Sequence, residues 1–255
     1  MVLFSHGYGG ERLYYSHILS GIASWGYVVV SADYLERGIA AQALSLKTKP
    51  TATFDQGIMA SSLSTLLKEN GSTGSLLQNI ANPKQIAVVG HSAGGGTAFN
   101  ALNLPGVKTA VGWAPVPPSG TPASKPVMLI GGEGDNAVTP SWTKKTYESF
   151  PGPKSLIEIS GAGHDTYTDT CQVIRSGGGL ISFALANHFV TPELAKLALN
   201  GCQSNDLAPD RFWPIVQYYT VFQLATVLGG HQSVVPIPAQ GTFPGYTIHI
   251  TQNGT

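Results

Sequence analysis

The stretch from Ile86 to Ala98 constrains the fold of this chain more than any other part of its sequence. Its first residues, Ile86–Val89, are apolar and mostly β-branched, which is typical of a buried strand. Gly90–Gly94 then matches the pattern G-x-S-x-G, in which a serine occupies a sharp strand-to-helix turn. Glycines two residues before and after the serine let strand and helix cross without a Cβ clash. The sequence therefore predicts a strand, a strained turn that exposes the Ser92 hydroxyl, and a helix.

Apolar strands alternate with amphipathic helices along the rest of the chain. Strands are predicted at Val2–Phe4, Tyr27–Val30, Ile86–Val89, Lys108–Trp113, Val127–Ile130 and Ser155–Ile159. Helices are predicted at Glu11–Ser24, Phe54–Glu69, Ser141–Phe150, Leu180–Phe189, Pro192–Leu199 and Asp210–Leu228, as well as after Ser92. The alternation indicates an α/β protein, with a mostly parallel sheet and helices on both faces.

The chain contains no internal repeat and no interdomain linker, so we expect one domain over residues 1–255. A polar loop around Pro50 is expected after the second strand. From residue 230 onward the sequence is rich in proline and glycine, which predicts an irregular tail. Within that tail, Tyr246–Thr251 alternates in polarity and is a possible edge strand.

The composition argues against several classes of partner. The formal net charge is zero, and only 11% of residues are charged, against about 25% in a typical domain. Because no run of Lys or Arg is present, neither a nucleic acid nor an anionic membrane surface is expected as a partner. No apolar run is long enough for a transmembrane helix, and no signal peptide precedes Val2. The protein is therefore either cytoplasmic or a mature or trimmed form of a longer chain.

Cys171 and Cys202 are the two cysteines of the chain. An even number of cysteines together with a low charge favours one disulfide and an oxidising compartment. The alternative is a pair of buried free thiols. A disulfide would tie the loop after His164 to the segment before the last helix, with a benefit of about 3–4 kcal/mol.

Ser92 requires a base and an orienting acid to act as a nucleophile at neutral pH. His164 is the best candidate for the base, because it follows the last predicted parallel strand on a glycine-flanked loop. Asp135 is the best candidate for the acid, on an equally glycine-rich loop after the preceding strand. Since ligands of such sheets bind beyond the carboxyl ends of the strands, the three side chains are expected to meet there. Their order along the chain is the order of serine, acid and histidine in α/β-hydrolases.

Other titratable residues compete for these roles. His91 is expected to pack beneath the turn, and His6 is expected to brace the loop after the first strand. Surface or satisfied core positions are predicted for the remaining histidines, His17, His188, His231 and His249. The competing acids are Glu133, which would point back toward the sheet, Asp165, which is too close to His164 in sequence, and Asp33, which is expected to be structural.

An oxyanion hole requires two backbone N–H donors. Ala93 offers one at the start of the helix after Ser92. The segment His6–Gly10 should supply the other, and we favour the N–H of Tyr8 over that of Gly7. The ring of Tyr8 is also expected to form a wall of the substrate pocket.

Three motifs carry a family resemblance: Phe4–Gly10, Gly90–Gly95 and Gly131–Pro140. With them the chain resembles the serine esterase branch of the α/β-hydrolase superfamily. Within that branch it is similar to a group of dienelactone-hydrolase-like enzymes, platelet-activating-factor-acetylhydrolase-like enzymes and bacterial cutinases or polyester hydrolases. The resemblance extends from about Val2 to His164 and more loosely to Leu228. By this resemblance the catalytic residues are Ser92, Asp135 and His164, and the oxyanion donors are Tyr8 and Ala93.

The chain departs from the family pattern at several points. The family's two leading antiparallel strands are missing before Val2, so we expect either that the chain is truncated at its N-terminus or that Tyr246–Thr251 covers the bare edge. The nucleophile is serine, whereas true dienelactone hydrolases carry cysteine. The loop between the strands near Val111 and Val127 is too short for a helical lid, so no large lid and an open cleft are expected. Substrate-wall candidates are Tyr8, Val116 and Trp142, while Trp113 is expected in the core.

The resemblance implies a carboxylic-ester hydrolase that works through an acyl-enzyme and extends in some members to polyesters. It implies no cofactor and no metal, an ester as the partner, and a secreted or periplasmic location. We also expect a monomer. Two alternatives stay open: an amidase or peptidase with the same triad, and a catalytically silent member of the fold used as a binding module.

Overall fold

Seven strands form one sheet in the computed structural model, which describes residues 1–44, 51–177, 179–229 and 242–253. The strands are β1 Val2–Ser5, β2 Val29–Ala32, β3 Ile86–His91, β4 Val107–Trp113, β5 Val127–Gly132, β6 Lys154–Ile159 and β7 Ile248–Asn253. Their order across the sheet is β2-β1-β3-β4-β5-β6-β7. Strands β1 to β6 are parallel, and β7 pairs antiparallel with β6.

Helices cover both faces of this sheet. They are α1 Ser16–Ala23, α2 Ile39–Ala43, α3 Ala52–Gly71, α4 Ala93–Asn100, α5 Pro140–Ser149, α6 Asp169–Ser176, α7 Leu180–Ala186, α8 Pro192–Leu199 and α9 Pro209–Leu228. Strand residues alternate between two apolar layers: in β3, Ala87 and Val89 belong to the layer with α1 and α9, whereas Ile86 and Val88 belong to the layer with α3. Buried parallel strands need apolar side chains on both faces, which explains their continuous apolar runs. The predicted fold class is confirmed.

The boundaries differ from the predictions in places. The first predicted helix begins as a 3₁₀ turn, Arg12–Tyr15, before α1. The polar segment after β2, predicted as a loop, contains α2, and α6 follows His164 where no helix was predicted. Both helices are short and lack a long apolar period, which is the signal that sequence patterns reveal best.

The C-terminal strand was expected over Tyr246–Thr251, with a place beside the first strand as one alternative. It lies at 248–253 and pairs with β6, at the opposite edge of the sheet, so that alternative was wrong. Because β2 already pairs with β1, the first strand has no free edge. Within the described residues β2 is the outer strand on that side. Most of the predicted irregular tail, residues 230–241 and 254–255, lies outside the described residues.

Cys171 and Cys202 form a disulfide, with their Cα atoms 5.1 Å apart. The predicted bond is confirmed, and it closes a segment that contains most of α6 and the whole of α7 and α8. The segment between β4 and β5, residues 114–126, contains neither helix nor strand, in keeping with the absence of a lid there. Over the described ranges, no helix combines the length and apolar character needed to cross a bilayer.

Candidate active site

Ser92 occupies a sharp turn between β3 and α4. Its backbone has φ 55° and ψ −121°, a conformation that residues with a Cβ rarely adopt and that costs about 1–3 kcal/mol. The flanking glycines make the turn possible. A Cβ on Gly90 would lie 2.0 Å from the carbonyl oxygen of Gly94, and a Cβ on Gly94 would lie 2.0 Å from the carbonyl oxygen of Ser5. The G-x-S-x-G spacing is therefore required by backbone contacts on both sides of the serine.

Replacing Gly94 with alanine is expected to destabilise the protein by more than about 3 kcal/mol, because the new methyl group would overlap backbone atoms of β1. The free energy of unfolding in urea measures the effect. Gly57→Ala is the matched control, since Gly57 lies in α3 and a Cβ there would have no other atom within 4 Å. The control should be neutral or stabilising by about 0.5–1 kcal/mol. Equal stabilities for the two variants would contradict this account of the turn.

Ser92, His164 and Asp135 lie in one hydrogen-bonded line. Nε2 of His164 is 2.9 Å from Oγ of Ser92, and Nδ1 is 2.8 Å from Oδ2 of Asp135. The other carboxylate oxygen, Oδ1, accepts the N–H groups of Ala137 and Val138, both at 2.8 Å. Ser92 is 7% exposed and the other two are 2% exposed. The loops after β3, β5 and β6 thus bring together the three side chains that the sequence selected.

Asp135, and none of the competing acids, holds Nδ1 of His164. Glu133 bonds Ser160 and faces His249 at 3.4 Å, and Asp33 pairs with Arg12. Asp165 borders the cavity at Ser92, but Asp135 holds Nδ1 of His164. Burial raises the pKa of Asp165 to about 6, although the nearby His164 acts in the opposite direction.

The competing histidines that the structure describes occupy other positions in the fold. The ring of His17 packs on Trp213, and His188 adopts a positive φ at the end of α7. His249 lies on β7 and faces Glu133. His231 lies outside the described residues.

His91 packs beneath the turn, as predicted, and links three loops. Its Nε2–H donates to the carbonyl of His164 at 2.9 Å, so Nδ1 is unprotonated and accepts the hydroxyl of Tyr15 at 2.8 Å. That hydroxyl in turn accepts the N–H of Gly7 at 3.2 Å. Burial lowers the pKa of His91 well below 6.5, and the nearby His164 adds to the effect. Tyr15, which sequence reasoning missed, therefore couples the loop after β1 to the histidine loop.

The loop after β1 approaches Ser92 closely. A Cβ on Gly7 would lie 3.2 Å from Cβ of Ser92. His6 braces this loop as expected: Nδ1–H donates to the Gly7 carbonyl at 2.8 Å, and Nε2 accepts the N–H of Tyr34 at 2.9 Å. Burial lowers the pKa of His6 to about 4, so this bracing persists as the neutral ring. Within the described residues, neither the N–H of Tyr8 nor that of Ala93 has a hydrogen-bond acceptor.

A buried ion pair supports the same loop from below. Arg37 pairs with Asp55 and also donates to Oγ1 of Thr97 at 3.2 Å and to Oγ of Ser5 at 2.6 Å. The carbonyl of Arg37 accepts the N–H of Gly9 at 2.7 Å. This cluster joins the segment after β2 to α3, α4 and the end of β1, and no sequence motif indicated it.

Asn200 is a further residue that sequence reasoning missed. Its Oδ1 accepts the N–H of His164 at 3.0 Å and that of Asn136 at 2.9 Å, and its Nδ2 donates to the carbonyl of Gly134 at 3.0 Å. Its own carbonyl accepts the N–H of Asp165 at 2.8 Å. One side chain from the end of α8 thus fixes the acid loop against the histidine loop. A lone asparagine in a polar stretch carries no pattern that would have revealed this.

A cavity of about 270 Å³ opens beside Ser92 and His164. One side is the loop Gly7–Gly10, and the other is formed by residues of α6, α7 and α8. Tyr8 lines it, and the Tyr8 hydroxyl donates to Gln42 at 2.7 Å. Val116 and Trp142, predicted to contact substrate, do not line this cavity. The N–H of Val116 donates to the carbonyl of Ser92 at 3.0 Å, and Trp142 is exposed on α5. The β4–β5 segment carries no helix, whereas residues of α6, α7 and α8 line the cavity on another side.

Comparisons with known proteins agree with this architecture. A family model described as Chlorophyllase matches residues 1–116, and one described as TAP-like protein matches residues 108–176. Cutinase est2 of Thermobifida alba is 28% identical over 195 residues, which is 74% of this chain and 59% of the relative. Cutinase 1 of Thermobifida cellulosilytica and the cutinase of Thermobifida fusca (strain YX) are each 27% identical over 169 residues, 64% of this chain and 59% and 52% of those relatives.

The matched part therefore spans less than two thirds of the length of each of these relatives. Among the described residues, no group of three His, Cys, Asp or Glu side chains is placed to hold a metal ion. The mostly parallel sheet, the serine turn after β3 and these similarities agree with the resemblance seen in the three sequence motifs. The chain has the α/β-hydrolase fold, and its sequence is similar to those of cutinases.

Proposed function

We propose that this chain hydrolyses carboxylic esters through an acyl-enzyme formed on Ser92. The observation that carries the proposal is the position of the His164 ring, 2.9 Å from the Ser92 hydroxyl and 2.8 Å from the Asp135 carboxylate. This geometry suits a base that takes the serine proton and an acid that holds the ring in the required tautomer. Similarity to three cutinases supports an ester as the substrate.

In the acylation half, Ser92 Oγ attacks the ester carbonyl while Nε2 of His164 takes its proton. Negative charge develops on the carbonyl oxygen, and the N–H groups of Tyr8 and Ala93 are the proposed donors to it. When the tetrahedral intermediate collapses, the C–O bond to the alcohol breaks and His164 returns the proton to the leaving oxygen. A water molecule, activated by the same imidazole, then attacks the acyl-enzyme, and the acid is released as Ser92 recovers its proton.

His91 supports this cycle by staying neutral. While His164 carries a positive charge, a protonated His91 whose ring centre lies 4.8 Å away would oppose it. The burial that lowers the pKa of His91 prevents this and keeps its bond to the His164 carbonyl.

Covalent labelling tests the proposed nucleophile. A fluorophosphonate should label the folded wild-type protein at Ser92, located by peptide mass spectrometry, and should leave Ser92→Ala unlabelled. Matched p-nitrophenyl ester and p-nitroanilide substrates then separate an esterase from an amidase. Folded protein that is neither labelled nor active on esters would refute the proposal and favour a binding module.

We propose a secreted or periplasmic location. The supporting observation is the disulfide between Cys171 and Cys202, because such bonds persist in oxidising compartments.

Replacing Asn200 with alanine is expected to lower kcat/KM for p-nitrophenyl butyrate by about 10–100-fold, because the acid and histidine loops lose their shared anchor. Asn187→Ala is the matched control, since among the described residues the Asn187 side chain donates only to the nearby carbonyl of Phe183 at the exposed end of α7. We expect that control to stay within about twofold of wild type. If Asn200→Ala hydrolyses the ester as fast as the control, the side chain does not position the catalytic loops.

A further inference from the structure

The segment after the histidine loop forms one wall of the site. It comprises α6, α7 and α8, and the disulfide joins Cys171 near its beginning to Cys202 just after its end. We call residues 169–202 the cap. At its end Asn200 binds the acid and histidine loops, and within it the side chain of Leu194 packs directly on Gly9, where a Cβ would meet Cδ1 of Leu194 at 2.5 Å. The cap is thus attached to the site on two sides.

The inner face of the cap is apolar except for Thr170. Its side chains that line the cavity beside Ser92 include Ile174, Leu180, Ile181, Ala184, Phe189 and Leu194. The opposite wall adds the glycine-rich loop after β1, the rings of Tyr14 and Tyr15, and Ile39. A cavity of this kind removes an apolar group from water next to the reacting carbonyl.

Burial in the core of the protein does not explain why these cap side chains are apolar. No residue of α7 is fully buried, although its sequence is almost entirely apolar. Leu180 and Phe189 line the cavity and are still 41% and 55% exposed. Large apolar side chains left partly exposed around a cavity are typical of a binding surface for apolar groups.

The volume of the cavity and the charge at its border restrict the kind of ligand that it can hold. About 270 Å³ lies just below the range of about 300–1,000 Å³ that is usual for ligand pockets, which suits a single chain better than a bulky ring system. Asp165 is the one carboxylate among the described residues that borders the cavity, and it disfavours a second negative charge there.

We propose that the cap is the binding site for an uncharged, linear alkyl chain of the ester, so that medium-chain esters are preferred over acetates. This inference rests on the proposed ester hydrolysis. The chain lies against α7 and α8, while the ester carbonyl lies at Ser92 between the loop after β1 and the histidine loop.

The test compares kcat/KM for p-nitrophenyl octanoate and p-nitrophenyl acetate. Wild type should prefer the octanoate by about tenfold or more. Ala184→Trp, which fills the cavity, should abolish this preference by lowering kcat/KM for the octanoate. Ala186→Trp, on the same helix but exposed and outside the cavity, is the matched control and should keep the preference. Ile181→Ser, which adds polarity without volume, should reduce the preference and serves if Ala184→Trp fails to fold.

A binding measurement separates this inference from the proposed function. Calorimetric titration of wild type with 2-decanone, a neutral ketone with an alkyl chain and no ester, should show saturable binding that Ala184→Trp weakens by about tenfold or more. If neither ester is hydrolysed but 2-decanone binds in this way, the proposed function fails and the apolar site stands. Absence of 2-decanone binding, an unchanged ester preference in both cavity variants, or equal effects of the two tryptophan substitutions would overturn the inference.

Discussion

Ser92→Ala is expected to lower kcat/KM for p-nitrophenyl butyrate by at least about 10⁴-fold. The methyl group cannot attack the ester carbonyl, so the acyl-enzyme cannot form, and His164 loses the hydroxyl that lies 2.9 Å from its Nε2. The residual rate should come only from binding and from the oxyanion donors. The measurement is the initial hydrolysis rate at saturating and at low ester concentration, with freshly purified protein.

The matched control is Ser149→Ala. Ser149 is exposed at the end of α5, and its hydroxyl donates to the carbonyl of Thr146. Its kcat/KM should stay within about twofold of wild type. Thermal melting of both variants should show folded protein, since alanine keeps the Cβ that already occupies the strained turn. Retention of most of the ester turnover by Ser92→Ala would end the assignment of Ser92 as the nucleophile.

Asp135→Asn is expected to reduce kcat by about 10³–10⁴-fold with little change in the fold. The N–H groups of Ala137 and Val138 both donate to Oδ1, so the amide oxygen of the new side chain should take that position. The amide nitrogen would then face Nδ1 of His164 and donate to it. Because Nδ1 would have to accept, the ring proton would move to Nε2, where the base must be unprotonated to take the proton of Ser92.

Glu133→Gln is the control for this prediction. Glu133 is also a carboxylate on the loop after β5, but it bonds Ser160 and faces His249 instead of His164. Its kcat should stay within about twofold of wild type. A larger loss in Glu133→Gln than in Asp135→Asn would show that the acid had been assigned to the wrong residue. The two variants remove one charge each from the same loop, so a general electrostatic effect cannot account for a difference between them.

Structural features that depend on a short-range pattern of residues were predicted well from the sequence. Apolar runs predicted six parallel strands, and the glycine spacing around Ser92 predicted the turn. The candidate site followed from one rule of topology. In a parallel sheet, residues directly after neighbouring strands emerge at the same edge, so Ser92, Asp135 and His164 could be expected near one another without any knowledge of side-chain contacts.

Predictions that depended on which segments of the chain pack against each other were less successful. The alternation in Tyr246–Thr251 predicted a strand, but a period of two does not say which edge of the sheet is open. In the structure β7 pairs with β6, and β2 is the outer strand at the other edge within the described residues. Val116 and Trp142 do not line the cavity beside Ser92, and their contact with substrate stays a prediction.

Local patterns were thus enough to establish the strand-to-helix turn, the layers of the core and the three loops that carry a hydroxyl, a carboxylate and an imidazole. These features depend on local backbone sterics and on the periodic burial of apolar side chains, both of which repeat over a few residues. The folded molecule was needed to show that Asn200 joins two loops, that Tyr15 and His91 connect a third, and that the cap forms the apolar wall. Asn200 is 36 positions from His164 and 64 from Asn136, and Tyr15 is 76 positions from His91. The existence of these contacts depends on how the chain packs around the sheet, and no local pattern of residues records that.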